Sequence, residues 1–393
     1  MQTPTRALVL GGGMVGSVMA ADLAADPAFL VTVADKRPEA LEMAKTRAAR
    51  MSGRAIETVA ADLGDPASVT RLASGHDLVL GALSSKIGLQ TLRAVIEAGK
   101  NYCDISFMAE DALSLSDLAK ARGVTAVVDM GVAPGMSNLL AGYAARTLAP
   151  CENIEIYVGG LPKERRWPFQ YKAGFSPADV IEEYTRPSRI VEHGVVVVRP
   201  ALSEPELVDF PGVGTLEAFN TDGLRSLATP LKVPSMKEKT MRYPGHIELM
   251  RVFRETGLFR ENAIAVPCAT GNGMAQVRPL DVISTLMFPM WTYEEGEPDL
   301  TVMRVLADGV RDGKRARLVW DVLDELDPTT KFTSMARTTA FPCTIVARLI
   351  AAGKIGAKGV LAPEMIAEDW LVKHLLVELE KRGVGYRESH VGR

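Results

Sequence analysis

The residues that first suggest chemistry lie in a glycine-rich turn near the start of the 393-residue chain. The apolar run Ala7 to Leu10 leads into three consecutive glycines. Two residues separate them from a fourth glycine, which precedes a segment of helical composition. Such glycines supply unusual backbone angles, let the main chain approach a pyrophosphate and let helix and strand pack closely. The unpaired N–H groups of the new helix then face the phosphates. The spacing predicts a dinucleotide site formed by Gly11, Gly13, Met14, Val15 and Gly16.

An acidic residue at the end of the second predicted strand supports this prediction. Leu30 to Ala34 is strand-like and is followed by Asp35, 19 residues after Gly16. A carboxylate at this position accepts hydrogen bonds from the adenosine ribose and repels a 2′-phosphate, which favours NAD over NADP. Lys36 and Arg37 follow directly, so NADP stays open as the alternative cofactor.

Further polar residues fall at the ends of predicted strands in the same part of the chain. Asp62 follows the third strand, where it either meets the adenine amino group or caps a turn. Ser84 and Lys86 follow the fourth strand, and ligands of such sheets bind beyond the carboxyl ends of strands. Lys86 is thereby placed near the nicotinamide, unless it is a solvated surface charge. Asp104 and Asp129 end the next two strands, where a cap or turn role competes with a role in the site.

The order of predicted elements indicates two domains. Six strands alternating with helices over about 130 residues predict a doubly wound parallel α/β sheet of the Rossmann type. At Val132 to Asn138 the sequence VAPGMSN breaks this alternation, and later apolar residues alternate by twos. We therefore expect a dinucleotide-binding domain over 1–131, completed by part of 337–393. An α+β domain for substrate binding and dimerisation, with a largely antiparallel sheet, is expected over 132–336.

Composition and charge exclude several other classes of protein. Lys and Arg number 45 against 48 Asp and Glu, so the formal charge is −3, and no nucleic-acid or polybasic membrane patch is visible. No apolar run approaches ~18 residues and no signal-peptide pattern precedes the first strand, so we expect a cytoplasmic protein. Four widely spaced cysteines and five scattered histidines predict no metal site.

Five motifs together resemble the saccharopine dehydrogenase family, most closely its NAD-dependent lysine 6-dehydrogenase branch. They are GGGMVG at Gly11–Gly16, VAPGMSN at Val132–Asn138, EEYTRPSRIV at Glu182–Val191, AFNTDGL at Ala218–Leu224 and KTMRYPGH at Lys239–His246. The resemblance covers nearly the whole chain and implies a homodimeric oxidoreductase that passes hydride from an amine-bearing carbon to the nicotinamide. It further implies a small amino-acid or amine substrate, foremost L-lysine. Oxidation at its 6-carbon gives 2-aminoadipate 6-semialdehyde, which cyclises to piperideine-6-carboxylate.

This reaction assigns roles to residues. Because an ammonium nitrogen has no lone pair, a base must take its proton before hydride leaves, and activated water must then hydrolyse the imine. The candidates for these proton transfers are Lys86, Asp104, Asp129 and His246. Arg242 suits the substrate carboxylate because a guanidinium presents two parallel donors. The candidates for the wall of the substrate site are Asn138, Tyr171 and Tyr243.

Two other functions stay open at this point. A saccharopine or carboxy(nor)spermidine-type dehydrogenase or reductase shares the architecture, and a non-catalytic dinucleotide-sensing protein would keep the fold without turnover. The ionisable residues at the strand ends argue against the latter. The polar segment Ala218–Leu224 is predicted as a turn-rich loop. The segment Lys237–His246 is either a solvated loop, on its high density of charge, or part of the site.

Overall fold

The computed structural model describes residues 3–228, 231–268, 271 and 273–392. In this part of the chain the strands form a seven-stranded sheet, a nine-stranded sheet and a separate two-stranded hairpin. None of the helices described is long and apolar enough to cross a membrane.

The first sheet is parallel throughout. Its strands are β1 (Thr5–Leu10), β2 (Phe29–Asp35), β3 (Glu57–Ala60), β4 (Leu78–Gly81), β5 (Asn101–Asp104), β6 (Thr125–Val127) and β17 (Gly359–Leu361). Their order in the sheet is β17-β6-β5-β4-β1-β2-β3. The last four residues of β1 are fully buried, as expected for a central strand covered by helices on both faces. The doubly wound parallel sheet predicted from the sequence is confirmed.

Helices connect the strands of this sheet and cover its faces. They are α1 (Gly16–Ala24), α2 (Pro38–Ser52), α3 (Pro66–Ser74), α4 (Ser85–Glu97) and α5 (Ser116–Ala121), with a 3₁₀ turn at Ala112–Leu115. Pro38 occupies the first turn of α2, and Gly53 ends that helix with φ +70°, a left-handed conformation that glycine adopts without strain. The Asp65 side chain caps α3 by accepting from the N–H groups of Ala67 and Ser68.

The second sheet is antiparallel except for one pair. Its strands are β7 (Cys151–Pro162), β8 (Ser188–Glu192), β9 (Val195–Arg199), β10 (Glu206–Phe210), β11 (Gly214–Asn220), β12 (Ser235–Arg242), β15 (Asp299–Arg311), β16 (Lys314–Glu325) and β18 (Tyr386–Gly392). The order is β10-β11-β12-β7-β15-β16-β18, with β8 between β12 and β9, and only β12 and β7 run parallel. The strands β13 (Ile264–Pro267) and β14 (Met274–Val277) form the hairpin outside this sheet.

The other helices described follow β6 in the chain. They are α6 (Met136–Thr147), α7 (Pro177–Thr185), α8 (His246–Glu255), α9 (Pro279–Trp291), α10 (Ser334–Ala351) and α11 (Asp369–Lys381), with 3₁₀ turns at Arg225–Ala228 and Pro363–Ile366. The end of the chain serves both sheets, because β17 lies beside β6 and β18 beside β16. Buried side chains of α1, α6 and α10 belong to one continuous core with those of β7 and β15.

Two segments predicted as loops are largely regular structure. Residues 237–242 belong to β12, and α8 begins at His246. Ala218 to Asn220 form the end of β11, and a turn follows. The density of charge that suggested a solvated loop instead belongs to a buried strand, where Glu238, Lys239 and Arg242 are each at least 95% buried. The Asp312-Gly313 turn joins β15 to β16.

Candidate active site

A cavity of about 590 Å³ lies between the two domains and connects the glycine turn to the second sheet. On the side of the first domain it is lined by Gly13, Met14, Val15, Gly16, Arg37 and Ser84. On the side of the second domain its polar lining comes mainly from α7, the turn after β11 and β12. One continuous space therefore offers room for a dinucleotide and for a small molecule beside it.

The backbone of the glycine turn explains its glycines. Gly11 has φ +97°, and a Cβ there would lie 2.4 Å from the Ala82 carbonyl oxygen. A Cβ on Gly16 would lie 1.9 Å from the Gly11 carbonyl oxygen, which is well inside contact distance. Gly11 therefore shapes the turn without lining the cavity. No side chain of the described residues caps α1, so its N-terminus is open to a phosphate.

Asp35 lies directly behind this turn and is held by three donors. The N–H of Gly12 donates to its Oδ2 at 2.9 Å, and both the N–H and the guanidinium of Arg37 donate to the same carboxylate at 2.9–3.1 Å. Burial alone would raise the pKa of Asp35, but these hydrogen bonds outweigh it and the pKa is lowered. Arg37, half-exposed, lines the cavity, whereas Asp35 does not. The ribose end of the cavity thus presents an ion pair rather than a lone carboxylate.

Arg242 projects from β12 into the opposite end of the cavity and is 2% exposed. Its Nη2 donates to Glu183 Oε2 at 2.6 Å, and its Nε donates to the Tyr184 hydroxyl at 3.2 Å. The guanidinium carbon lies 4.4 Å from the centre of the Tyr171 ring, which also lines the cavity. This arrangement fixes the plane of the guanidinium, because the stacked Tyr171 ring, the Glu183 carboxylate and the Tyr184 hydroxyl together define its orientation.

His246 lies behind Arg242 rather than in the cavity. Its Nδ1 is 2.9 Å from the Phe169 carbonyl oxygen, which can only accept, so Nδ1 carries the proton. Its Nε2, 3.0 Å away, then accepts from the Tyr184 hydroxyl. Burial, assisted by the positive charge of Arg242, lowers the pKa of His246 to about 3. The imidazole is therefore neutral and orients Tyr184, and it lies outside the cavity lining.

Glu238, also on β12, lines the cavity and is 3% exposed. Its Oε2 accepts from the Thr221 hydroxyl at 2.5 Å and from the Gly223 N–H at 3.0 Å. Because burial is its largest influence, the pKa of Glu238 is raised to about 8. Glu238, Thr240 and Arg242 alternate along the strand, so their side chains share the face that borders the cavity.

Three of the residues predicted to transfer protons lie elsewhere. Lys86 is an exposed residue in the first turn of α4 and is not part of the cavity lining. Asp104 is fully buried and accepts from the N–H of Asp129, and burial raises the pKa of Asp104 to about 8. Asp129 pairs with Arg225 of the second domain at 3.2 Å. Neither aspartate lines the cavity, so both act in the junction between the domains.

Three residues predicted to bind ligands also take scaffold positions. Asn138 is fully buried in α6 and donates to the Leu224 carbonyl oxygen at 3.3 Å. The Tyr243 hydroxyl donates to the Pro162 carbonyl oxygen at 2.9 Å, on the side of the strand away from the cavity. Asp62 accepts from the Gly64 N–H at 3.0 Å, which is the turn-capping alternative. None of the three lines the cavity, whereas Tyr171 and Ser84 do.

The lining contains acidic residues that sequence reasoning missed. Asp179, Glu182 and Glu183 of α7, and Arg186 directly after this helix, all line the cavity. Their spacing of three, four and seven residues marks one helical face, and that polar stripe could have indicated the site. Asp222 and Glu238 add two further carboxyl groups from the second sheet and its connecting turn. Among the described residues, no group of three or more His, Cys, Asp or Glu is arranged to hold a metal ion.

Two family models together match nearly the whole chain. A model of the saccharopine dehydrogenase NADP binding domain matches residues 7–127, and a model of the saccharopine dehydrogenase C-terminal domain matches residues 131–384. The chain belongs to the saccharopine dehydrogenase family. It is an oxidoreductase of this family, and the matched N-terminal model together with the glycine turn supports a nicotinamide dinucleotide as its cofactor.

The similar proteins carry several activities in their names. Saccharopine dehydrogenase [NADP(+), L-glutamate-forming] of Schizosaccharomyces pombe is 22% identical, over 85% of this chain and 88% of that protein. Carboxynorspermidine synthase of Vibrio cholerae is 23% identical, over 92% of each. The structure of saccharopine dehydrogenase (L-Glu forming) from Saccharomyces cerevisiae has a TM-score of 0.77, 18% identity and coverage of 98% of this chain and 100% of that one. At this identity the structural likeness establishes the fold.

Proposed function

We propose that this protein catalyses the NAD-dependent oxidative deamination of an amino acid, foremost L-lysine at its 6-carbon, to 2-aminoadipate 6-semialdehyde. The observation that carries the proposal is the single cavity that runs from the glycine turn to Arg242 and Glu238. The dinucleotide, held by the turn, supplies the hydride acceptor there. The remaining space lies beside it and is closed by the second domain.

The charges of the cavity suit a substrate with both a carboxylate and an ammonium group. Five carboxyl groups and three guanidinium groups line it. Among the described residues, Glu182, Glu183 and Asp222 have ion-pair partners, whereas Asp179 and Glu238 have none. Two carboxyl groups without a cation leave positions for an amine, and we assign the substrate carboxylate to Arg242.

The geometry of β12 fits a substrate of the length of lysine. Glu238 and Arg242 lie four residues apart on one face of the strand, so their Cα atoms are separated by ~13 Å at about 3.3 Å per residue. Both side chains are long and extend into the cavity between them. An extended amino acid of lysine size spans the gap, with its carboxylate at Arg242 and its terminal amine at Glu238.

A panel of amines tests this function. L-lysine, saccharopine and carboxynorspermidine would each be assayed with NAD and NADP, recording formation of reduced nicotinamide and release of ammonia. We expect L-lysine to give the highest kcat/KM and to release one ammonia for each reduced nicotinamide. A higher kcat/KM for saccharopine or carboxynorspermidine, with no ammonia, would assign the chain to those secondary amines instead.

Cofactor choice is expected to depend on Asp35 and Arg37 in opposite ways. We propose that NAD is preferred, because the Asp35 carboxylate behind the cavity wall repels a 2′-phosphate, and that Arg37 reduces this penalty by pairing with Asp35. Arg37→Leu should therefore lower kcat/KM with NADP by about tenfold, or ~1.4 kcal/mol, and change kcat/KM with NAD much less. Asp35→Ala should shift the preference towards NADP. Equal losses with both cofactors in Arg37→Leu would contradict a role at the 2′ position.

Homodimeric assembly and a cytoplasmic location stay predictions. Sedimentation velocity of the purified chain tests the first directly, since a dimer of a 42.4 kDa chain is readily separated from the monomer.

A further inference from the structure

Resting on the proposed function, we propose that Glu238 is the catalytic base, whose free carboxyl oxygen accepts the proton of the substrate ammonium group. In this assignment Thr221 and Gly223 are positioning residues that hold the carboxyl group at the edge of the cavity. The role replaces that of Lys86, which is exposed outside the cavity.

The two oxygens of Glu238 have different surroundings. Oε2 accepts from the Thr221 hydroxyl at 2.5 Å and from the Gly223 N–H at 3.0 Å. Oε1 has no hydrogen-bond partner among the described residues, and the side chain lines the cavity. One oxygen is therefore used to fix the carboxyl plane, and the other is free to take a proton from a molecule in the cavity.

The chain makes room for this carboxyl group. A Cβ on Gly223 would lie 2.3 Å from Cδ of Glu238 and 2.5 Å from its Oε2, so any larger residue would displace the group. The Thr221 hydroxyl in turn lies 2.9 Å from the Thr240 hydroxyl, and both threonines line the cavity. Thr221 must donate to Glu238, so it accepts from Thr240, and this chain orients the Thr221 proton towards the carboxylate.

The charges around Glu238 favour a proton acceptor that works near neutral pH. Burial raises the pKa of Glu238 to about 8, and the carboxylates of Glu183 and Asp222 act in the same direction, whereas the Thr221 and Gly223 donors oppose them. Asp222 is itself paired with Arg189 at 2.8 Å. Near neutral pH, a base of this pKa is partly in the carboxylate form, and its affinity for a proton is higher than that of an ordinary carboxylate.

Other charged groups nearby are committed to partners of their own. Arg242, on the same face of β12, pairs with Glu183. The two lysines of the strand lie on its opposite face, where Lys237 pairs with Glu204 and Lys239 with Glu206. No described cation therefore neutralises Glu238, and an ammonium group in the cavity would be its first cationic partner.

The step itself is a simple proton transfer. An N–H bond of the substrate ammonium breaks, its electron pair remains on nitrogen as a lone pair, and an O–H bond forms at Oε1 of Glu238. The ammonium becomes a neutral amine and the carboxylate becomes a carboxylic acid. The new lone pair then permits loss of hydride from the neighbouring carbon, which an ammonium nitrogen cannot assist.

The test is the pH dependence of kcat for L-lysine in the wild type and in Glu238→Gln, over pH 6 to 10. In the wild type kcat should rise about tenfold per pH unit and level off at or just below pH 8, because only the carboxylate form acts as a base and the bound ammonium group lowers the pKa of the carboxyl group that it faces. Glu238→Gln should lower kcat at pH 8 about 100-fold and abolish this limb, in line with loss of a general base. Retention of the limb in Glu238→Gln, with lysine still oxidised, would overturn the proposal and leave the proposed function standing.

Asp179→Asn is the matched control, because Asp179 is the other lining carboxyl group without an ion pair. It should raise KM and keep the kcat limb near pH 8, and loss of the limb in this variant alone would transfer the role to Asp179. Thr221→Val should move the limb to higher pH, since it removes a donor that stabilises the carboxylate, and Thr221→Ser should restore it. An unmoved limb in Thr221→Val would overturn the positioning role.

A measurement without substrate separates this inference from the proposed function. In the protein alone, the infrared band of the protonated carboxyl group of Glu238 should disappear between pH 7 and 9, and the band should be missing in Glu238→Gln. A wild-type band that titrates below pH 5 would overturn the assignment even if lysine is oxidised. If no amine is oxidised at any pH, the proposed function and the base role fall together, whatever the infrared titration shows.

Discussion

Arg242→Ala is expected to lower kcat/KM for L-lysine by a factor that corresponds to ~2–4 kcal/mol of transition-state stabilisation, while the Kd for NAD changes little. This is the usual size of the effect when a charged partner is lost from a desolvated site. The guanidinium lies at the end of the cavity remote from the glycine turn and is oriented by Glu183, Tyr184 and the Tyr171 ring. Steady-state kinetics and a fluorescence titration of NAD binding measure the two quantities.

The sharper form of this experiment compares lysine with 1,5-diaminopentane, which keeps the terminal amine and lacks the carboxylate. Wild-type protein should have a much higher kcat/KM for lysine than for 1,5-diaminopentane. The Arg242→Ala protein should have similar kcat/KM values for the two amines, because the group that binds the carboxylate is gone. Arg242→Lys serves as control, since it keeps a charge but loses the two parallel donors and should retain part of the preference. An equal loss for both amines would show that Arg242 supports the scaffold.

The cofactor end of the cavity was predictable because its geometry is local. The backbone angles and close approaches at Gly11 and Gly16 are demands of one short turn, and a strand that ends on Asp35 is read from seven contiguous residues. What the sequence does not show is that Arg37 folds back onto Asp35, because that contact depends on the direction of two side chains, one at the end of β2 and one just before α2.

The structure places the predicted candidates for the base outside the cavity lining, and for two of them the reason is a contact between the domains. Asp104 ends β5 and Asp129 lies two residues after β6, but Arg225 from the second domain pairs with Asp129. Their role thus depends on a partner 96 residues away from Asp129 in the chain. Lys86 has the right position in sequence, yet the first turn of α4 directs it to solvent.

The β12 side of the cavity was not predicted as a strand because buried charge resembles solvated charge in a sequence. Glu238, Thr240 and Arg242 occupy alternate positions, which is the period of a strand, but the neighbouring Lys237 and Lys239 hide the pattern. In the structure those lysines pair with glutamates on the opposite face, so a strand with charge on both faces becomes stable. Sequence alone therefore predicted Arg242 and Tyr171, which line the cavity, from their chemical types, and it did not predict Glu238, which lines the cavity too.

A buried ion-pair cluster behind the cofactor turn provides the largest expected effect on stability. Asp22 of α1 accepts from Arg348 of α10 at 2.6 Å, from Arg382 after α11 at 2.8 Å and from the Thr344 hydroxyl at 2.6 Å. Asp22→Ala leaves two guanidinium groups without their shared partner in a largely buried site. We expect it to lower the free energy of unfolding by ~3–5 kcal/mol, measured from the urea midpoint.

Glu42→Ala is the control for this measurement, because Glu42 pairs with Lys45 in an exposed i,i+3 pair and should change the free energy of unfolding by less than ~0.5 kcal/mol.

The pH dependence of the free energy of unfolding gives a second check. Burial alone would raise the pKa of Asp22, but Arg348, Arg382 and Thr344 outweigh it and lower the pKa. The folded state therefore binds this proton less readily than the unfolded state, so the contribution is present above the unfolded pKa and is lost as pH falls through the folded one. The difference in free energy of unfolding between wild type and Asp22→Asn should accordingly be constant from pH 6 to 8 and shrink below about pH 4. A difference that instead grew on acidification would show that the arginines do not hold Asp22 ionised.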